Sequence, residues 1–292
     1  DVPITPGGPK RDDKWAEEQI ANTSPEQFEQ EYGCSFLGSS NTLVSSTKLN
    51  VLASEEHISE NAEGLKIFEM PAKDKMYFLQ ADVSRGQGND YSAFTIIDGA
   101  SAPYKVVASY RNNTISPFNF PTTILNAAKQ YNNAFVLIET NDLGGQVSNI
   151  LHSELEYENV LMTKILGRKG QILSQGFGGV GKNEMGLRTT AQTKKIGCAI
   201  LKRLVEEDKI LLNDDRIITE LMSFVSKSNT YKAEDGQTDD LVMTLVFFAW
   251  LTRQEYYADL IDQAKFNYEE AQKPEDDNIL FIPQQKTGDN DE

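Results

Sequence analysis

Lys75-Met-Tyr-Phe-Leu-Gln-Ala-Asp82-Val-Ser-Arg-Gly-Gln-Gly-Asn-Asp90-Tyr-Ser-Ala-Phe-Thr-Ile-Ile-Asp98 is the stretch whose reading decides the fold. An apolar run over 76–83, a turn carrying Gly86, Gly88 and Asn89, and a second apolar run over 91–97 spell strand, tight turn, strand. The pattern places a carboxylate, Asp82, inside the first strand instead of in the polar turn. Aspartate is depleted in strands, and an unpaired buried charge is costly, so Asp82 needs a reason. Three accounts compete: it bonds the backbone of the turn, it pairs with Arg85, or it binds a metal ion together with acids brought from elsewhere.

Downstream, residues 104–110 form a third strand, and the short turns joining all three predict antiparallel pairing. Pro121 opens a helix that ends near Asn132 and Asn133, and residues 134–139 are a continuous apolar strand ending on Glu139. Such strands are usually central and covered on both faces. A helix through Leu155 and a short strand over 160–163 follow. Residues 166–186 hold seven glycines and read as one long loop, of the kind that carries function. Thr189 or Thr190 starts a helix to about Asp208, with Ile196, Ala199, Ile200, Leu201, Leu204 and Val205 as its apolar side. Residues 210–212 are a strand, Asp214 or Asp215 caps a helix, and 224–232 read as a single strand. Asp239 and Asp240 lead into 241–250, a helix apolar on nearly every side and therefore buried. The sum is an α/β chain: a mixed sheet whose first three strands are antiparallel and whose later ones are parallel, with helices on both faces.

The chain has 292 residues, 39% of them hydrophobic, enough for one large domain with a smaller appendage. Its two cysteines, Cys34 and Cys198, suggest no disulfide framework, and its two histidines are too few for a Cys/His zinc site. No apolar run reaches the roughly 18 residues of a membrane span, and the first residues lack a signal sequence. The expectation is a soluble intracellular protein with no membrane partner. Residue 1 is not Met, so the chain is expected to be a fragment or a processed product. A net charge of −16 argues at face value against nucleic acid. Between Lys164 and Arg203, however, nine basic residues stand against one acid, Glu184. A local basic stripe can hold a polyanion while other surfaces repel it; a solvated helix face plus a polar loop is the blander account.

The acids line up as Asp82 in the first strand, Glu139 at the end of a central strand and Asp239/Asp240 at the start of a buried helix. If the first and fourth strands lie side by side and the helix packs on the sheet, all meet at one end. Each pair of carboxylates about 4 Å apart repels by roughly 4 kcal/mol at an effective dielectric of 20. A hard divalent cation with oxygen ligands, Mg2+ or Mn2+, would neutralise them, and two such ions clamp the attacking and leaving oxygens in phosphodiester cleavage. The alternatives stay open: helix capping for Asp239 or Asp240, worth about 1 kcal/mol, and a strand-end group reaching water for Glu139. Gly176-Phe-Gly178-Gly-Val-Gly181-Lys182-Asn183 matches a phosphate-binding glycine loop, but the run before it is too short for a core strand and Gly186 interrupts any helix after it. A flexible loop carrying Arg168, Lys169 and Lys182 over a phosphate backbone suits the stripe better.

Asp82-Val-Ser-Arg-Gly with Asp90-Tyr-Ser-Ala-Phe, Glu139 in Val-Leu-Ile-Glu-Thr-Asn-Asp, Leu-Glu-Tyr-Glu-Asn before the glycine stretch, and Thr-Asp239-Asp240-Leu-Val-Met-Thr-Leu-Val together resemble the large terminase subunit of T4-like tailed bacteriophages. The resemblance covers nearly the whole chain, including Lys14-Trp15 and Phe36-Leu-Gly-Ser39. It implies an RNase H-like nuclease domain, with metal ligands at Asp82, Glu139 and the Asp239/Asp240 pair and Asp90 as a further acid nearby. It also implies an ATPase domain ahead of this chain, so that 1–56 is a connector or the end of that domain, 57–268 the nuclease and 269–292 an acidic disordered tail. Beside Asp239 there is no histidine, which leaves open which Asp is the main ligand.

The expected function is a Mg2+- or Mn2+-dependent endonuclease that cuts double-stranded viral DNA with low sequence specificity during genome packaging. Arg168, Lys169, Lys182, Arg188, Lys194 and Lys195 would hold the DNA. The implied partners are the ATPase domain, the viral portal and the small terminase subunit, in the host cell cytoplasm. The rivals are a non-catalytic DNA-binding or packaging-interface module whose acids are structural, and a nucleotide-binding protein using the 176–182 loop.

Overall fold

The computed structural model describes residues 41–88, 90–165, 170–174, 183–228 and 230–271. Its strands are, in chain order, β1 (Ser59–Glu60), β2 (Lys66–Ile67), β3 (Tyr77–Asp82), β4 (Ser92–Asp98), β5 (Tyr104–Asn112), β6 (Phe135–Ile138), β7 (Met162–Ile165), β8 (Gln171–Ser174), β9 (Asn183–Met185), β10 (Ile210–Leu211), β11 (Phe224–Lys227) and β12 (Thr230–Ala233). The helices are α1 (Ser46–Leu49), α2 (Phe120–Gln130), α3 (Gly144–Asn149), which runs on into a π turn over Ile150–Glu154, α4 (Ala191–Glu206), α5 (Asp215–Ser223), α6 (Asp240–Leu251) and α7 (Glu255–Ala271).

A seven-stranded sheet in the order β1-β2-β5-β4-β3-β6, with β10 alongside β5, organises the molecule. β3, β4 and β5 pair antiparallel, and β6 and β10 join parallel to β3 and β5. This is the mixed α/β sheet expected from the sequence. The two-residue period of a strand divides its side chains between two cores. Tyr77, Leu79 and Ala81 of β3 pack with Phe94, Ile96 and Tyr110 under α2 and α3. Phe78, with Ala93, Ile97 and Leu137, faces the opposite side, where α4, α5 and α6 lie. Leu43, Val44 and Leu49 enter that second core as well. Every residue of α6 from Leu241 to Leu251 is buried, so the apolar helix is the central strut of this layer.

Three local expectations are corrected. The glycine-rich stretch is not a single loop: β8 and β9 both pair antiparallel with β7 in a small separate sheet. Each is too short, and too close to glycines, to announce itself without its partner. Residues 224–232 are two strands of a hairpin, β11 and β12, with Ser228 at a φ of +50°. The one mark of the turn in the sequence is Ser228-Asn229, two residue types that favour turns. The third correction concerns α4, whose buried side is Thr193, Gly197, Cys198, Leu201, Leu204 and Val205, while Ile196 is 39% exposed. The cause is close helix packing, since a methyl group on Gly197 would overlap the Val246 backbone of α6. The buried stripe is therefore turned toward the small residues.

The capping expectations hold. Thr190 caps α4 in a reciprocal box with Thr193, and Asp214 caps α5 through the Arg216 N–H at 2.9 Å. The 1–40 segment, the 176–182 glycine run and the 272–292 end of the proposed tail lie outside the described residues.

Candidate metal centre

The site is built by register. In the β3/β6 pair Ala81 is opposite Ile138, and the Glu139 N–H donates to the Ala81 carbonyl at 2.9 Å. Asp82 closes β3, at its end and not within it, and Glu139 is the next residue after β6. Alternation puts Phe78 and Asp82 on one face and Leu137 and Glu139 on the same face, the one covered by α6. Parallel neighbours end together, so the two carboxyl groups meet and share a hydrogen bond. Gly144 lets α3 start hard against this strand end, because any β-carbon there would overlap the Glu139 carbonyl oxygen.

The second half of the site is the start of α6. Asp239 occupies the N-cap position but its side chain makes no capping bond; its Oδ2 accepts from the Ala233 N–H at 3.2 Å and lies 3.9 Å from Lys194 Nζ. Asp240 Oδ2 is buried without a hydrogen-bond partner. Asp82, Arg85, Asp90, Asp142, Asp239 and Asp240 line a cavity of about 310 Å³ at this end of the sheet.

The electrostatics follow from that crowding. Burial, then the charge of Glu139 and the hydrogen bond with it, then Asp240 and Asp239, push the Asp82 carboxyl well above its ordinary range. Burial, then Glu220, Asp239 and Asp90, raise Asp240 to about 7, against the Tyr91 N–H, which pulls it down. The alternative accounts of Asp82 meet other partners. Arg85 is held in a two-bond fork by Asp142, at 2.7 and 3.0 Å, and the turn is tied by serines: the Ser84 N–H donates to Ser92 Oγ at 3.1 Å, and the Gly86 N–H to Ser84 Oγ at 3.3 Å. Among the described residues no three His, Cys, Asp or Glu side chains are already closed around a single point. Asp82, Asp239 and Asp240 share one cavity, and Glu139 adjoins it through Asp82.

Of the basic candidates, Arg188 and Lys195 are exposed, and Lys194 reaches toward Asp239 and over the Phe224 ring, 5.5 Å from its centroid. Arg168, Lys169 and Lys182 lie outside the described residues. Three contributors escaped the sequence reading. Asp142 had one signal, its position in the polar Thr-Asn-Asp after a strand end, and it sits at a φ of +49°. Tyr91 acts through its backbone. Glu220 sits on α5, far away in sequence.

A family described as the terminase RNaseH-like domain matches residues 79–264. Among solved structures, the large terminase nuclease from the thermophilic phage G20c with bound magnesium aligns at a TM-score of 0.55 and 18% identity, covering 74% of this chain and 100% of that one. The cobalt-bound form of that nuclease gives the same values. A further crystal structure of it aligns at a TM-score of 0.51, again with 18% identity and 74% and 100% coverage. At this identity the likeness is one of fold. No helix among the described residues is long and apolar enough to cross a membrane.

Proposed function

Since this chain belongs to the family of terminase RNaseH-like domains, we propose that its carboxylate cluster is the centre of a divalent-metal-dependent endonuclease that cuts double-stranded DNA during viral genome packaging. The observation that carries it is the pairing of Asp82 with Glu139 at the ends of two parallel strands, beside a cavity that Asp82 shares with Asp240, whose Oδ2 is unpartnered. Four carboxylates with Lys194 beside one of them, 3.9 Å from Asp239, need a further counter-charge. The donor set is all oxygen, which suits Mg2+ or Mn2+, and the G20c nuclease structures are described with magnesium or cobalt bound.

In this reading Asp82, Glu139, Asp239 and Asp240 hold the metal and are the catalytic carboxylates, with Asp90 as a further acid at the cavity mouth. One divalent ion, or two, held by these carboxylates would supply Lewis-acid stabilisation to the phosphodiester undergoing cleavage. The chain's own part is placement. The paired strand ends fix Asp82 and Glu139, and α6 presents Asp239 and Asp240 from the opposite wall. Arg188, Lys194 and Lys195, with Arg168, Lys169 and Lys182, hold the phosphate backbone. Contacts of that kind position a duplex without reading its sequence, so cutting depends little on base order. The ATPase domain, portal and small terminase subunit complete the machine, in the host cytoplasm.

Plasmid nicking tests this. The protein should convert supercoiled to relaxed and linear DNA in Mn2+ and not in EDTA, and Asp82→Asn should lower the rate by roughly a hundredfold or more, about 2.7 kcal/mol in barrier height, while the fold stays intact. Full nicking by that variant would remove the site. A folded wild-type chain that binds DNA and never cuts it would favour the non-catalytic module instead.

A further inference from the structure

The first turn of a helix leaves backbone N–H groups with no acceptor in the helix itself, and an N-cap aspartate usually accepts one of them. In α6 the N-cap is Asp239, and its side chain does not do this. The Val242 N–H donates instead to Glu220 Oε2 at 2.9 Å. Glu220 belongs to α5 and is 3% exposed. Its other oxygen accepts from Arg111 Nη1 at 2.9 Å and from Thr238 Oγ1 at 3.3 Å. The Arg111 guanidinium lies over the Tyr91 ring, 4.2 Å from its centroid. The Tyr91 backbone N–H in turn lies near enough to Asp240 to pull its carboxyl down. The chain of contacts therefore begins at the first turn of α6 and closes on the carboxylate that this turn carries.

Electrostatics alone disfavour a buried carboxylate here, since it adds a like charge beside an acid cluster. Packing does not require it either, as an uncharged side chain would fill the space. What an uncharged residue cannot do is accept from Val242 with one oxygen and bind the Arg111 guanidinium with the other. We infer that Glu220, held by Arg111, is a positioning residue that caps α6 in place of Asp239, leaving Asp239 and Asp240 free for the ion. The inference rests on the nuclease reading above and extends it from the carboxylates to the groups that aim them. Partners of ligating groups of this kind typically change metal affinity tenfold to a hundredfold when removed.

The test is Mn2+ titration calorimetry without DNA, on the wild type, Glu220→Gln, Arg111→Lys, Asp240→Asn and the Glu220→Gln/Asp240→Asn double variant. Circular dichroism and thermal melting without metal accompany it. Glu220→Gln keeps the volume and one acceptor but presents an amide where two donors converge. It should stay folded and bind Mn2+ about tenfold more weakly or worse. Within the Asp240→Asn background the same change should cost less than it does in the wild type but still weaken binding, because Asp239, drawn into the cap that Glu220 leaves, carries the rest of the effect. If Glu220→Gln fails to fold, Arg111→Lys decides: it keeps a cation beside Glu220, loses the flat contact with Tyr91, and should still weaken binding. Wild-type Mn2+ affinity in the folded variants, with only a lower melting temperature, would overturn the inference and leave the nuclease reading standing. A wild-type chain that binds no Mn2+ would bring down both.

Discussion

The two ends of the central sheet treat acidic side chains in opposite ways. Where β3 begins and β4 ends, Lys75 binds both Glu69 and Asp98, at 2.9 and 2.7 Å, and Lys105 binds the other oxygen of Glu69 at 2.9 Å. The lysines hold the Glu69 carboxyl below its ordinary range, and the carboxylates raise the Lys75 ammonium. Where β3 ends, Asp82, Glu139, Asp239 and Asp240 crowd together, and the carboxyls of Asp82 and Asp240 are pushed up. The nearby cations are engaged otherwise: Arg85 by Asp142, Arg111 by Glu220, with Lys194 3.9 Å from Asp239. Two acids and two lysines make a structural clasp. Acids in excess of their counter-ions make a place that waits for a cation.

The contrast breaks most readily under metal. Mn2+ at a hundred times its dissociation constant should stabilise the wild type by about 2.7 kcal/mol. Asp82→Asn should abolish most of that gain and Asp98→Asn none of it, as read by thermal melting. Equal protection of both variants would mean that the ion binds elsewhere. The metal-free protein should next show opposite pH signs at the two ends. Asp240, raised to about 7 from 3.8, contributes stability that is full below about pH 4 and is lost as pH rises through 7. Glu69, lowered from 4.5, contributes stability that is present above that value and lost as pH falls below it. Chemical denaturation from pH 3 to pH 8 should thus show a softened neutral-side decline in Asp240→Asn, with Asp82 supplying the remainder, and a softened acid-side decline in Glu69→Gln; an unchanged profile in both would sink the assignment. The smallest effect belongs to Lys75→Met. This clasp is partly exposed, so its loss should cost about 1 kcal/mol or less and leave plasmid nicking as it was.

How much of this was legible from the chain depends on how local each signal is. The strand, turn, strand pattern around Asp82 survived almost unchanged, because alternation and glycine turns are written in neighbouring residues. The capping roles of Thr190 and Asp214 survived for the same reason. β8 and β9 read as loop in the sequence because their stability comes from β7 and not from themselves. Ile196 reads as core in the sequence because helical period alone cannot tell that α6 approaches on the side of Gly197. The Arg111–Glu220 pair joins residues 109 positions apart and leaves no trace in spacing.

By itself the sequence determined which side chains are acids, which strands end on them and that a wholly apolar helix follows Asp239 and Asp240. Those are properties of composition and short-range periodicity, which need no partner to exist. Tertiary structure alone decided that Glu139 falls beside Asp82, that Arg85 belongs to Asp142, and that Glu220 caps the helix Asp239 was placed to cap. Each of these depends on strand register or helix approach. A shift of one residue in strand register would turn the same side chains to the other face of the sheet, and a shift of one residue along a helix would swing its side chains about 100° around the axis.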